Sequence, residues 1–180
     1  MFKYLLWLIA ALPTCASAAQ TNVATDIGLM GVSIRAVTLV NADANVLWAT
    51  LTDYNRLASF VPGMTVSRLV SPPNAPKKLI EQKGEGGMLS LVLPDHVILE
   101  LSERPYNRIG FRSVSGWVTS LEGEWLIRGD TAPVTLAYRA HVVPALPPPP
   151  VLTDDYVQEE IRTRMNAVAR EAERRMKLTQ

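Results

Sequence analysis

From residue 66 to residue 143 almost every segment alternates apolar and polar side chains by two, with only a few turn-forming residues between segments. This constrains the fold more than any other feature of the chain. A parallel crossover needs a dozen residues or more, so strands this close in sequence must pair as antiparallel neighbours. The alternation predicts strands over 66–70, 78–84, 88–93, 97–103, 108–114, 116–127 and 134–143. The breaks carry turn chemistry: Ser71-Pro72-Pro73-Asn74, Gly84-Glu85-Gly86-Gly87, Pro94-Asp95, Arg104-Pro105-Tyr106-Asn107 and Gly129-Asp130. The Gly84 stretch lacks the lysine and the following helix of a phosphate loop, and reads as a hairpin turn.

Behind this meander, Thr153 or Asp154 is placed to cap a helix running to Leu178. Val157, Ile161, Met165, Val168, Ala172 and Met176 follow one another in steps of three or four and form one continuous apolar stripe. The remaining faces carry Glu159, Glu160, Arg162, Arg164, Arg170, Glu171, Glu173, Arg174 and Arg175. Glu160 with Arg164, and Glu171 with Arg175, stand four apart, as on a solvated face with modest ion-pair support. Only a broad sheet offers such a long stripe enough surface to cover. The prolines at 144 and 147–150 cannot donate to a ladder, so they end the last strand and serve as a stiff spacer into the helix.

Ahead of the meander, residues 31–40 alternate, with Val32, Ile34, Ala36, Thr38 and Val40 on one face. Asn41 or Asp43 is placed to cap a short helix to about Thr52, and Asp53 to cap a second over 54–60, stopped by Pro62-Gly63. The expected order is strand, two short helices, antiparallel strands and a long helix. The fold class is therefore α+β, a helix-grip arrangement of about six to seven curved antiparallel strands around the C-terminal helix.

The N-terminus reads as a secretory signal peptide over 1–18. Lys3 charges the n-region, 4–12 is an unbroken apolar run, Pro13 breaks it, and Ala16-Ser17-Ala18 offers small residues for cleavage after Ala18, or alternatively after Ala19. Nine apolar residues as helix reach only ~14 Å, about half of a bilayer core. Cys15 is the only cysteine, and Pro13-Thr14 beside it departs from the small residues of a lipoprotein box, which leaves lipid anchoring as the lesser alternative. Cleavage leaves a mature chain without disulfides, placed in the periplasm or secreted. Residues 19–30 are expected to be a flexible lead-in, and 31–180 a single domain. Removing Lys3 from the 18 basic residues leaves them level with the 17 acidic ones, which gives no electrostatic case for nucleic acid.

Several segments carry a resemblance: 46–57 (Val-Leu-Trp-Ala-Thr-Leu-Thr-Asp-Tyr-Asn-Arg-Leu), Phe60-Val61-Pro62-Gly63-Met64, Ser67-Arg68, Glu103-Arg104-Pro105 leading into Arg108-Ile109-Gly110-Phe111-Arg112, Gly123-Glu124-Trp125, and Leu136-Ala137-Tyr138 before the proline run. In these the chain resembles the START-like (SRPBCC) superfamily, which includes polyketide cyclases and dehydrases, plant pollen allergens and the ubiquinone-binding Coq10 group. The resemblance spans the chain from about Gly31. It implies a cavity between the curled sheet and the long helix that takes a hydrophobic or amphipathic small molecule, a lipid, quinone or isoprenoid-like compound. The implied lining is Val157, Ile161, Met165 and Val168 from the helix with Phe111, Trp125 and Tyr138 from the strands.

The chemistry-bearing residues do not form a recognisable catalytic set. His96, His141, Glu100, Glu103, Asp95 and Arg139 are the candidates a cyclase or dehydratase would draw on, yet no spacing pairs an acid with a base. Neither a metal motif nor Gly-x-Ser-x-Gly is present, and nothing calls for a cofactor. Trp48 and Trp117 read as large core or edge residues. The expectation is non-catalytic binding, with peripheral membrane contact as a possible accompaniment. A cyclase-like enzyme and a protein-interaction module are the alternatives.

Overall fold

The computed structural model describes residues 21–72, 74–85, 95–116 and 118–179. The segment 1–18 expected to be a signal peptide, the strand expected over 88–93 and Trp117 lie outside the described residues.

The elements in chain order are β1 (Asn22–Gly28), β2 (Gly31–Val40), α1 (Ala44–Leu51), a 3-10 turn (Leu57–Ser59), β3 (Met64–Leu69), β4 (Lys78–Gly84), β5 (His96–Arg104), β6 (Arg108–Gly116), β7 (Val118–Arg128), β8 (Val134–Pro144) and α2 (Asp154–Lys177). All strands join one curved antiparallel sheet in the order β1-β2-β8-β7-β6-β5-β4-β3. The expected class holds, with eight strands rather than six to seven. Each short connection makes a neighbour, and the one long-range pairing is β2 with β8, where Val32 stands opposite Val142 and Val40 opposite Val134. The alternating face of β2 is the inner one: Val32, Ile34, Ala36, Thr38 and Val40 are all buried.

The strand β1 corrects the expectation of a flexible lead-in for 22–28. Thr25 on the inner face and Ala24 on the outer face blur its alternation, and its place is set by partners in other elements. It pairs along β2 from Asn22↔Val37 to Gly28↔Gly31. It is also tied to α2, where Thr21 donates to Asn166 and Gln158 donates to Thr25 at 3.2 Å. Val23 and Ile27 pack against the core.

Both expected short-helix caps work differently. Asp43 begins α1 in extended backbone but spends its carboxylate on the Ala132 N–H, at 2.9 Å, which binds the helix start to the β7–β8 loop. The second helix is reduced to the 3-10 turn. Asp53 does not cap it, because its carboxylate accepts from Arg175 of α2 at 2.9 Å, and the turn instead drives Leu57 and Val61 into the core.

Helix α2 is capped as expected. The Thr153 hydroxyl accepts from the Tyr156 N–H, while Asp154 and Asp155 in the first turn and Arg174, Arg175 and Lys177 in the last oppose the helix dipole. Val157, Ile161, Met165, Val168 and Ala172 are buried and Met176 is half-buried against the core. Among the described residues no helix is long and apolar enough to cross a membrane.

Candidate ligand cavity

The sheet curls without closing on α2, and the space left between them is a cavity of about 210 Å³. Alternation along the strands determines its wall: Val97, Leu99 and Leu101 of β5, Ile109 and Phe111 of β6, Leu121 and Trp125 of β7, and Tyr138 of β8. Ile161, Arg164, Met165 and Val168 of α2 cover it, and Leu51, Tyr54, Leu57 and Val61 close one side. Gly63, Lys83, Gly84, Glu85 and Asp95 form the mouth, where Lys83, Glu85 and Asp95 are exposed to water.

Three aromatic rings make a continuous patch of wall. Phe111 stacks on Tyr138 with ring centres 6.0 Å apart, and Trp125 is tilted against Tyr138 at 4.5 Å. Gly123, opposite Phe111 in the register, provides the room: a Cβ there would lie 2.5 Å from the end of the Phe111 ring. The Tyr138 phenol is pushed up to about 12 by burial, an effect that the charge of Arg164 opposes. The Tyr54 hydroxyl donates to Glu103 at 2.6 Å, and Lys78 holds the same carboxylate at 2.7 Å. Burial and that carboxylate raise the Tyr54 phenol well above its ordinary value, so it stays a neutral donor.

Six of the seven residues expected to line a cavity do so: Phe111, Trp125, Tyr138, Ile161, Met165 and Val168. Val157 does not. It is wholly buried in the first turn of α2, outside the cavity lining, where Thr25 of β1 hydrogen bonds with its neighbours Asp154 and Gln158. Periodicity placed it on the right face, but that end of the helix is packed into the core and bonded to the unforeseen strand β1 on either side of Val157.

The candidate acid and base residues are mostly turned away. Because Val97, Leu99 and Leu101 face inward, His96 and Glu100 stand on the outer face; His96 meets Glu81 at 2.9 Å and Glu100 meets Lys77 and Arg112 at 2.9 Å. Arg112 and Lys77 hold the Glu100 carboxyl below the usual carboxylate range, and Arg68 does the same for Glu81. His141 faces Ser33 across the β2–β8 ladder at 3.0 Å, and Arg139 stands 3.9 Å from Glu124, both on the outer face. Glu103 is engaged with Tyr54 and Lys78, which leaves Asp95 at the mouth as the one member of the set that lines the cavity. Among the described residues no group of three His, Cys, Asp or Glu side chains could hold a metal ion.

The sequence reading missed Arg164, assigned there to the solvated face. It lies three residues after Ile161 and four before Val168, so helical geometry puts it beside the apolar stripe, and that spacing was the available signal. Its Nε is buried without a hydrogen-bond partner among the described residues.

Solved structures share this architecture. A STAR-related lipid transfer protein from Xanthomonas axonopodis superposes with a TM-score of 0.67 at 15% identity, covering 90% of this chain and 97% of its own. The Zhui aromatase/cyclase of a Streptomyces species matches with a TM-score of 0.59 at 19% identity over 79% of this chain and 94% of its own. A START superfamily protein from Mycobacterium smegmatis gives 0.60 at 15% identity over 82% and 99%. At these identities the likeness is one of fold. No curated protein matches the chain in sequence. Residues 40–169, which include the wall, the mouth and most of α2, match the family described as polyketide cyclase / dehydrase and lipid transport, and the chain belongs to that family.

Proposed function

We propose that this protein binds a hydrophobic or amphipathic small molecule, such as a lipid, quinone or isoprenoid-like compound, without transforming it, and that it works outside the cytoplasm. The observation that carries the reading is the cavity: an apolar, aromatic-lined space between sheet and α2 that opens at one end. Its size favours a single chain over a fused ring system. An apolar cavity of about 150 Å³ takes benzene, so the space here suits a chain segment of roughly eight carbons. Burying it contributes about 6 kcal/mol at ~0.8 kcal/mol per methylene, against association costs that start near 4 kcal/mol. The remainder of a longer ligand would lie at the mouth. The cyclase alternative needs an acid and a base facing the substrate, whereas His96, Glu100 and His141 face outward.

The residue 1–18 segment supports the extracytoplasmic placement, where envelope lipids are the nearest ligands. Peripheral membrane contact fits the same picture. The strand registers place the β1–β2 turn and the chain after β8 at the end of the sheet that holds the cavity mouth. There Leu29, Met30 and Leu146 are 96%, 82% and 75% exposed.

Native mass spectrometry of protein isolated from the periplasmic fraction tests the reading. The expected result is a co-bound amphiphile, released on denaturation and replaceable by dodecanoate. A protein that is empty, and that takes up neither dodecanoate nor any member of a fatty-acid and quinone panel, overturns it.

A further inference from the structure

We infer that the ligand carries an anionic, carboxylate-type head group and that Arg164 receives it. This inference rests on the cavity reading and narrows its ligand class. Arg164 is the one cationic side chain of α2 that lines the cavity, set among Ile161, Met165 and Val168. Its charge is poorly answered within the described residues. Glu160, one turn earlier, stands 3.9 Å from Nη2, beyond hydrogen-bond distance, and Nε is buried without a partner. The contrast with the end of the same helix is direct: Arg174 and Arg175 each hydrogen bond Glu171, and Arg175 also bonds Asp53.

The Arg164 side chain is partly exposed, at 28%, but its Nε is buried with an unused donor. Such a donor is unfavourable unless a partner arrives, and a planar carboxylate matches the fork-like geometry of a guanidinium. Among the described residues, Gly63 leaves room beside the guanidinium. Gly63 at the mouth adopts φ +70°, a backbone that favours glycine, and a Cβ there would sit 3.0 Å from Arg164 Nη2. The other charges around the opening are less suited to the task. Lys83 is drawn to Glu81 at 3.6 Å, and Glu85 and Asp95 are exposed carboxylates screened by water. The opposing effect of Arg164 on the buried Tyr138 phenol is consistent with a cation near the aromatic wall.

The test compares dodecanoate with dodecan-1-ol, which share a tail and differ in head group, by calorimetric titration of the wild type, Arg164→Met and Arg164→Lys. The expected wild-type preference for the acid is about ten- to hundredfold, in the range of a hydrogen bond to a charged group. Arg164→Met should erase that preference while binding the alcohol within about threefold of wild type, and Arg164→Lys should keep part of it. A thermal melt of each variant confirms folding; with Nε unpaired, Arg164→Met should melt no lower than wild type. Should a variant fail to fold, the wild-type preference and its decline with salt still decide the matter. Equal binding of acid and alcohol by the wild type, or a preference that survives Arg164→Met, overturns the head-group inference and leaves the cavity reading intact. Failure of the wild type to bind either compound overturns the head-group inference, and the cavity reading falls with it only when the fatty-acid and quinone panel also goes unbound.

Discussion

Replacing Val168 and Val157, in turn, by phenylalanine makes the same chemical change twice on one face of α2, and the structure assigns the two positions opposite consequences. Both valines are buried, at 4% and 0% exposure, but Val168 borders the cavity and Val157 does not. At Val157 the ring has no space to enter, and overpacking should cost about 1–3 kcal/mol, lowering the melting temperature by ~2–4 °C per kcal/mol. At Val168 the ring can swing into about 210 Å³ of apolar space, more than the ~150 Å³ that accommodates benzene. Stability should then stay within about 0.5 kcal/mol of wild type, since new contacts offset any side-chain adjustment. Binding should show the reverse pattern. Phenylalanine adds about four carbons net to valine, displacing an equal length of ligand tail at ~0.8 kcal/mol per carbon, so dodecanoate affinity should fall by roughly two hundredfold. Val157→Phe, once corrected for its unfolded fraction, should bind dodecanoate as wild type does. Urea unfolding followed by circular dichroism, with dodecanoate titration of the folded proteins, reads both effects. If Val168→Phe loses as much stability as Val157→Phe and keeps wild-type affinity, the cavity reasoning is wrong.

Two further outcomes follow from the ends of the chain. Hydrogen bonds from Arg174 and Arg175 hold the Glu171 carboxyl at about 2, below its unfolded range, so the stabilisation is full above about pH 4.5 and is lost as pH falls towards 2. Glu171→Gln should therefore cost ~1–2 kcal/mol at neutral pH and nothing near pH ~2, and a gap independent of pH in urea unfolding curves would contradict this. Starting the chain at Gly31 removes β1, with the packing of Val23 and Ile27 and the Thr21 and Thr25 bonds to α2. It should lower stability by roughly 2–4 kcal/mol and leave the β2 edge prone to association, measured by urea midpoint and light scattering; an unchanged midpoint would show that β1 contributes nothing.

Much of the molecule was legible because its signals are local. A two-residue period fixes which side chains share a face of a strand, a short turn fixes antiparallel pairing, and steps of three and four fix a helical stripe. Those rules were enough for the curved sheet, the capped α2 and six of the cavity residues. They failed where a partner remote in sequence made the choice. Asp43 and Asp53 have cap-like sequence positions, yet their carboxylates go to Ala132 and Arg175, which only the folded chain brings near. Likewise, the residue 22–28 segment becomes a strand because β2 offers an unpaired edge and α2 offers Asn166 and Gln158.

The sequence by itself determined an α+β chain whose antiparallel sheet grips one long helix, and which apolar side chains face between them. Tertiary structure alone decided where those faces meet and where they stay apart. Periodicity reports the direction of a side chain, not the distance to whatever lies opposite. So Val157 and Val168, alike in sequence terms, end one packed in the core and the other at a cavity, because Thr25 of β1 is bonded to residues flanking Val157 while a space remains between strands β5 to β8 and the stretch of α2 from Ile161 to Val168. The same arrangement leaves Arg164, an ordinary surface charge by its sequence, over an apolar space with its Nε unanswered among the described residues.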